Sequence, residues 1–90
     1  MTEQELQHFR GKLVESMSFP SVYMFKFIVE SDNRKIALLE NLFEPGVEIH
    51  TKESGKGRYI SITAKHVVMH VDEVIDIYRR ASAIKGVMFL

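Results

Sequence analysis

Hydrophobic positions recur along the chain with two different periods, and their alternation predicts the order of the secondary-structure elements. Behind a capping box formed by Thr2 and Glu5, apolar residues return every three or four positions and predict a helix over residues 3–16. Residues 22–29 are almost entirely β-branched or aromatic, which predicts a first strand that is too apolar for a sheet edge. A leading helix followed by a buried strand is therefore expected.

The middle of the chain predicts a second helix and then a β-hairpin. Ser31 or Asp32 can cap this helix, which a Pro-Gly pair ends. Its apolar stripe consists of Ile36, Leu39, Leu42 and Phe43. Residues 47–52 and 58–65 alternate between apolar and polar side chains, as in strands with one wet face, and residues 54–57 form the turn between them.

The last third of the chain predicts a third helix and a short final strand. Residues 71–84 show helical spacing, with acids in the first turn and Arg79 and Arg80 near the end, which suits the helix dipole. Gly86 can end this helix, and residues 87–90 are apolar. The order βαββαβ predicts an α+β, ferredoxin-like sandwich, with a four-stranded antiparallel sheet, two helices on one face, and the N-terminal helix in addition.

Length and composition predict a single domain with no strong electrostatic bias. We expect a helical extension over residues 1–18 and the ferredoxin-like domain over residues 19–90. The chain has 90 residues, 46% of them hydrophobic, which is enough to bury a core without metal or disulfide staples. Twelve basic and twelve acidic side chains give no net charge, which disfavours nucleic acid and anionic membranes as partners.

The chain contains no cysteine, which excludes disulfides, thiolate nucleophiles and cysteine-based metal sites. Residues 1–5 are polar and acidic, where a signal peptide needs a basic start and an apolar run. Apolar stretches such as residues 23–29 are far shorter than a membrane span. We therefore expect a cytoplasmic protein without a membrane segment.

Three segments resemble a known family. Phe19-Pro20, residues 23–26 and the hairpin at residues 54–63 are similar to the YbeD-like family of small bacterial domains of unknown function, from about residue 17 onward. The family pattern has a Phe-Pro pair before the first strand and Ser-Ser-Lys-Gly-x-Tyr-x-Ser at the hairpin. Gly55 departs from this pattern, since it replaces the second serine.

The resemblance implies a ferredoxin-like fold similar to the ACT ligand-sensing domains. Members of the family sometimes carry the label of a putative lipoate-related regulatory protein. The resemblance implies no catalytic, cofactor-binding or metal-binding residue. It therefore supports the fold, and it points to a regulatory role only in general terms.

The hairpin residues Ser54, Lys56 and Arg58 are candidates for contact with a ligand or a partner. The glycines at this turn free backbone N–H groups that could cradle a small anion beside two cations. The segment does not match a P-loop, and a tight turn explains its glycines without a ligand. Lys56 lies at a hairpin tip, as the modified lysine of lipoyl domains does, but the acidic and alanine residues that flank that lysine are missing here. We expect a plain turn, with an anion or partner contact as the alternative.

Other chemical groups have ordinary explanations. His66 and His70 have helical metal-ligand spacing, but they lie near a strand end without further ligands, so we expect an exposed loop pair. Asp72, Glu73 and Asp76 crowd a helix start, where acids offset the dipole. We expect no metal and no cofactor.

The sheet surface opposite the helices is the second candidate surface. If Phe25, Phe27, Ile60 and Ile62 face the helices, alternation places a mixed set of side chains on the other side. This set consists of Met24, Lys26, Ile28, Tyr59, Ser61 and Thr63. We expect the leading helix or a homodimer partner to cover this surface, with a small-ligand site as the alternative.

The leading hypothesis is a small non-enzymatic regulatory or protein-interaction module that can also sense a ligand. Its candidate contact residues are Lys26, Ser54, Lys56, Arg58, Tyr59 and Ser61. One alternative is an acylphosphatase-like or other anion-binding enzyme, which the acidic loop at Asp32 disfavours. Another is an RNA-binding sheet with Tyr59 as a stacking platform, which the zero net charge disfavours.

Overall fold

The computed structural model describes residues 1–90 and contains three helices and four strands. In chain order these are α1 (Glu3–Ser16), β1 (Ser21–Glu30), α2 (Asn33–Glu40), β2 (Glu48–Ser54), β3 (Tyr59–Val68), α3 (Val71–Ser82) and β4 (Met88–Phe89). After α1 the order is βαββαβ, and the sheet order is β2-β3-β1-β4 with every neighbouring pair antiparallel. The predicted ferredoxin-like α+β fold is therefore confirmed. The boundary between residues 18 and 19 stays a prediction.

The two central strands form the framework of the sheet. β1 and β3 each have ten residues and pair along their whole length, from Ser21 opposite Val68 to Glu30 opposite Tyr59. β4 has only two residues and pairs with β1 at Phe27 and Ile28. β1 therefore has a full-length neighbour on one side only.

Local hydrogen bonds begin the first two helices where the sequence predicts. The Thr2 hydroxyl accepts a hydrogen bond from the Glu5 N–H, and the Glu5 carboxylate accepts one from the Thr2 N–H, which completes the capping box. Asp32, not Ser31, caps α2, since its carboxylate accepts hydrogen bonds from the N–H groups of Arg34 and Lys35.

Two element ends differ from the sequence prediction by about three residues, more than any other end. α2 ends at Glu40, before the Pro-Gly pair, because the next backbone bonds are tighter turns from Leu42 to Leu39 and from Phe43 to Glu40. Phe43 is buried all the same. β3 continues three residues beyond the predicted end at residue 65, because its pairing with β1 persists to Val68.

The core is a single cluster of sixteen buried residues, all of them apolar or aromatic. The side chains of Phe25, Phe27, Val29, Ile62 and Ala64 are fully buried, which shows that this sheet face lies under the helices. The predicted division of β1 and β3 into a core face and an outer face is therefore confirmed. Burial of this set is the main stabilising term of the sheet.

Tyr78 of α3 is the centre of an aromatic cluster that joins the helices to the sheet. Its ring lies 5.1 Å from Phe9, 5.7 Å from Phe25 and 5.5 Å from Phe89, between ring centroids. Its hydroxyl lies 3.1 Å from the Tyr23 hydroxyl, so the polar end is satisfied inside the core. Burial, followed by this hydrogen bond, raises the pKa of Tyr78.

Helix α1 packs on α3, in the helical layer. Leu6 and Leu13 of α1 belong to the buried cluster, and Phe9 meets Tyr78 edge to face. Two ion pairs hold the helices together at their surface. They are Arg10 with Asp72 and Arg79 with Glu3.

The position of α1 corrects the expectation that the leading helix covers the outer sheet face. α1 does not lie on that face, because its apolar stripe is already buried against α3. Met24 at the centre of the face is exposed. Coverage by a homodimer partner stays a prediction.

The docking of α1 predicts unequal effects of two truncations on the same helix. Leu6→Ala should lower the free energy of unfolding by about 2–5 kcal/mol, because it removes a buried side chain and leaves a cavity. Val14→Ala, at a side chain that is 52% exposed, should change it by less than about 0.5 kcal/mol. Urea denaturation followed by circular dichroism measures both. Equal effects would show that α1 is not docked as described.

The two interhelical ion pairs predict an acid-dependent loss of stability. Hydrogen bonds from Arg79 and Arg10 hold the pKa of Glu3 and of Asp72 below their ordinary values of 4.5 and 3.8. Lowered folded-state pKa values stabilise the fold above the ordinary values, and this contribution is lost as the pH falls through the folded-state values.

Thermal unfolding between about pH 7 and pH 3 tests this sign. The wild-type Tm should fall more steeply below about pH 4.5 than the Tm of the double variant Glu3→Gln, Asp72→Asn, in which the other carboxyl groups titrate unchanged. Parallel curves for the two proteins would contradict the prediction.

Candidate functional site

The sheet surface opposite α2 and α3, here called the open face, carries exposed apolar side chains on β1, β3 and β4. Val22 is 62% exposed, Met24 54%, Val67 58% and Met88 48%. Val22 lies opposite Val67, and Ile28 lies opposite Met88. We call this set the open-face patch, which consists of Val22, Met24, Ile28, Val67, Met88 and Leu90.

The open face also concentrates positive charge. Five basic side chains lie on it or at the hairpin tip, namely Lys26, Lys52, Lys56, Arg58 and Lys65. Only three acidic side chains share this side of the molecule, namely Glu30 and Glu48 on the face and Glu53 at the hairpin tip. None of the five basic groups forms a salt bridge within the chain.

The rest of the molecule has the opposite balance, with seven basic and nine acidic side chains. The zero net charge of the chain is therefore the sum of a basic open face and an acidic helical side. Charge that is separated in this way favours an acidic partner at the open face.

Both acids of the open face are already paired. The Glu30 carboxylate lies 3.8 Å from the Lys35 ammonium, on α2. The Glu48 carboxylate lies 3.0 Å from the His50 ring, and this hydrogen bond, together with the charges of His50 and Lys65, lowers the pKa of Glu48. Glu48 is therefore ionised at neutral pH, and the unpaired charges of the face are all positive.

The structure divides the predicted contact residues between two places. Lys26, Ser54, Tyr59 and Ser61 lie on the open face, where Ser54 is opposite Tyr59 and the Ser61 hydroxyl donates to the Lys52 carbonyl over 3.4 Å. The remaining two, Lys56 and Arg58, lie at or beside the hairpin tip. The role of all six residues in binding stays a prediction.

The hairpin tip is shaped by backbone geometry. Three consecutive residues adopt left-handed φ angles, with Gly55 at 60°, Lys56 at 59° and Gly57 at 81°. The Arg58 N–H donates to the Gly55 carbonyl over 3.2 Å. A Cβ at Gly55 would lie 3.3 Å from the Tyr59 ring, a tight contact that, with the left-handed φ, favours glycine there. No ligand is needed to explain the glycines.

A groove of about 450 Å³ separates the hairpin from the loop after β1. Arg58 lines it from the hairpin, and Glu30 and Asp32 line it from the end of β1 and the following loop. The Asp32 carboxylate lies 2.8 Å from the Arg34 N–H and 3.3 Å from the Lys35 N–H. A phosphate at this helix start would have to displace Asp32, which disfavours the acylphosphatase-like arrangement.

The two neighbouring histidines are not the exposed loop pair that the sequence predicts. His66 lies inside β3, is half-buried, and contacts Phe43 edge to face at 6.3 Å between ring centroids. Its Nδ1 atom is buried without a hydrogen-bond partner. His70 precedes α3 and is exposed. The pairing of β3 with β1 beyond residue 65 separates the two side chains.

The acids at the start of α3 have structural roles. Asp72 pairs with Arg10, and the Glu73 carboxylate accepts a hydrogen bond from the Met69 N–H over 3.0 Å. Asp76 lies 4.0 Å from Arg80, the i,i+4 pair that the sequence predicts. No group of three or more His, Cys, Asp or Glu side chains is arranged to hold a metal ion.

Neither the α1–α3 ion pairs nor the uneven distribution of charge was predicted from the sequence. The ion pairs join residues 62 and 76 positions apart, and no local signal marks them. The charge distribution could have been predicted, because strand alternation places Lys26, Lys52 and Lys65 on one face.

No helix of the chain has both the length and the apolar character that crossing a membrane requires. No solved structure matches the chain. Known sequences are more informative, and their matches cover the sheet, α2 and α3.

A UPF0250 protein of Shewanella halifaxensis (strain HAW-EB4) is 31% identical over 80 residues, which span 84% of this chain and 91% of the relative. A UPF0250 protein of Shewanella baltica (strain OS155 / ATCC BAA-1091) is 34% identical with the same coverage. Residues 14–90 match the family described as "Protein of unknown function (DUF493)". The chain belongs to the DUF493 family of small bacterial proteins, whose function is not known.

Proposed function

We propose that this protein is a non-enzymatic protein-interaction module that binds an acidic, partly apolar segment of another protein at its open face. The observation that carries the proposal is the open-face patch, whose side chains stay half exposed because α1 is docked elsewhere. Exposed apolar side chains that are grouped on one sheet face in this way usually mark a binding surface.

The charges around the patch specify the chemistry of the partner. Lys26 and Lys65 lie beside Met24, along β1 and across the β1–β3 pair, and neither has an acidic partner within 4 Å. A segment that combines apolar side chains with Asp or Glu would bury the patch and neutralise both lysines. Complementary charge of this kind contributes mainly to specificity and to the rate of association.

The groups with perturbed protonation support a binding role over a catalytic one. Most of them are surface ion pairs, such as Glu3 with Arg79 and Asp72 with Arg10. The one buried group, Tyr78, belongs to the aromatic core and has its hydroxyl bound to Tyr23. Catalytic groups instead cluster in clefts, where burial and a charged neighbour act on the same residue.

The finer parts of the proposal rest on family likeness. We place the protein in the cytoplasm and give it a regulatory role, as the resemblance to YbeD-like and ACT-like domains implies. A small anionic ligand at Lys56 and Arg58 belongs to this regulatory proposal. The acids at Glu30 and Asp32 make the groove beside them a weak anion site, so the open face is the main surface.

Site-specific photo-cross-linking in cells of the source organism tests the proposal. A benzophenone amino acid would replace Met24 or Met88 within the patch, and Val14 on α1 as the control. Discrete protein adducts are expected at Met24 and Met88 and not at Val14, which is equally exposed but lies on the acidic side. The identified partner should carry an acidic, apolar segment.

The charge requirement is tested on the same adducts. The double variant Lys26→Glu, Lys65→Glu should reduce them at least about fivefold, because two attractive contacts become repulsive. The matched variant Lys12→Glu, on α1, should leave them unchanged. Equal yields of adducts at Met24, Met88 and Val14 would contradict the proposal. Adducts that nuclease digests would show that the partner is nucleic acid and not protein. Adducts between two copies of the chain would show that the open face binds a second copy.

A further inference from the structure

The outer edge of β2 is a second unpartnered surface, separate from the open-face patch. β2 is an edge strand of the sheet and pairs only with β3. Six of its seven residues are exposed, and only Ile49 is half-buried. An edge of this kind presents unpaired backbone N–H and C=O groups to any strand that can approach it.

The pairing pattern shows which backbone groups are free. Leu90 N–H donates to the Lys26 carbonyl, so even-numbered residues of β1 direct their backbone toward β4. Because donor sides alternate along a strand, this parity carries through β3 to β2 by the pairing registers. Ile49, Thr51 and Glu53 therefore direct their N–H and C=O groups outward.

We propose that two copies of this protein pair through the outer edges of β2, antiparallel about a two-fold axis at His50. The pairing joins two four-stranded sheets into one sheet of eight strands. Ile49 of each copy lies opposite Thr51 of the other, and these pairs exchange about four backbone hydrogen bonds. The two copies use the same surface, as a closed dimer requires.

The side chains on the open face make this register self-complementary in charge. Glu48 of each copy lies opposite Lys52 of the other, so the dimer contains this ion pair twice. In the single chain Lys52 lies opposite Ser61 and forms no salt bridge. Opposite charges directly across two strands stabilise the pairing, whereas like charges oppose it.

Neighbouring registers are less favourable. A register must shift in steps that keep each side chain on its own face. Centring the axis on Thr51 places Lys52 opposite His50 and Ile49 opposite Glu53. Both ion pairs between Glu48 and Lys52 are then lost. Centring it on Ile49 places Lys52 opposite Gly46 and uses the Val47 N–H, which already donates to the Glu44 carbonyl.

The inference does not depend on the proposed function, because the open-face patch lies on β1, β3 and β4. Edge pairing leaves that patch accessible, and the dimer carries two copies of it. Loss of the dimer would leave the cross-linking result at Met24 unchanged, and loss of the adduct would leave the dimer unchanged.

Single cysteines test the register directly, because the chain has no cysteine of its own. At the two-fold axis His50 faces itself as a non-hydrogen-bonded pair, with the Cα atoms about 4.5 Å apart, which suits a disulfide. Purified His50→Cys should form a reducible dimer at least about tenfold faster than Ile49→Cys or Thr51→Cys. Faster cross-linking of either control would overturn the register.

Charge exchange tests the ion pairs by sedimentation equilibrium. Glu48→Lys and Lys52→Glu should each weaken the dimer about tenfold, because each places two like-charged pairs across the edge. The double variant should recover the wild-type affinity to within about threefold, while Lys12→Glu should leave it unchanged. A wild-type protein that stays monomeric up to about millimolar concentration, or a double variant weaker than both singles, would overturn the proposal.

Discussion

The packing of α1 against α3 around Tyr78 decides which surfaces of this protein are free. One ring contacts α1 through Phe9, the sheet through Phe25 and Phe27, and the last strand through Phe89. Aromatic contacts of this kind add to the area that they bury. Because the apolar stripe of α1 is buried here, this stripe is not available to cover the opposite side of the sheet.

The consequence is a molecule with two unlike sides. The helical side carries an excess of acids, several of them in ion pairs, and the sheet side carries unpaired lysines around exposed apolar side chains. A net charge of zero conceals this separation. Electrostatic arguments from total charge alone miss the local field that a partner would meet.

Local patterns predicted most of the fold. The period-two alternation in β1 and β3 assigned their side chains to the correct faces, and the capping residues Thr2 and Asp32 marked two helix starts. Of the two larger failures, one depends on a long-range contact and the other on a local turn. Pairing with β1 extends β3 through His66, and the turn at Leu42 shortens α2, although neither is marked by local propensity.

The position of α1 could not be predicted either, because an amphipathic helix can bury its stripe on any apolar surface of sufficient size. The fold contains two such surfaces, the outer sheet face and the side of α3, and only the first was considered from the sequence. Packing against Tyr78 and the ion pairs of Glu3 and Arg10 select α3. The candidate surface was therefore identified from strand alternation, but its accessibility became known only from the structure.

The most direct test of this account is a nuclear Overhauser spectrum of the protein in solution. The account predicts cross-peaks between the ring protons of Phe9 and Tyr78, whose ring centroids lie 5.1 Å apart, and none between α1 and Met24 or Thr63. Cross-peaks from Leu6, Phe9 or Leu13 to Met24 or Thr63 would place α1 on the open face. That result would contradict the central claim that this face is free to bind a partner.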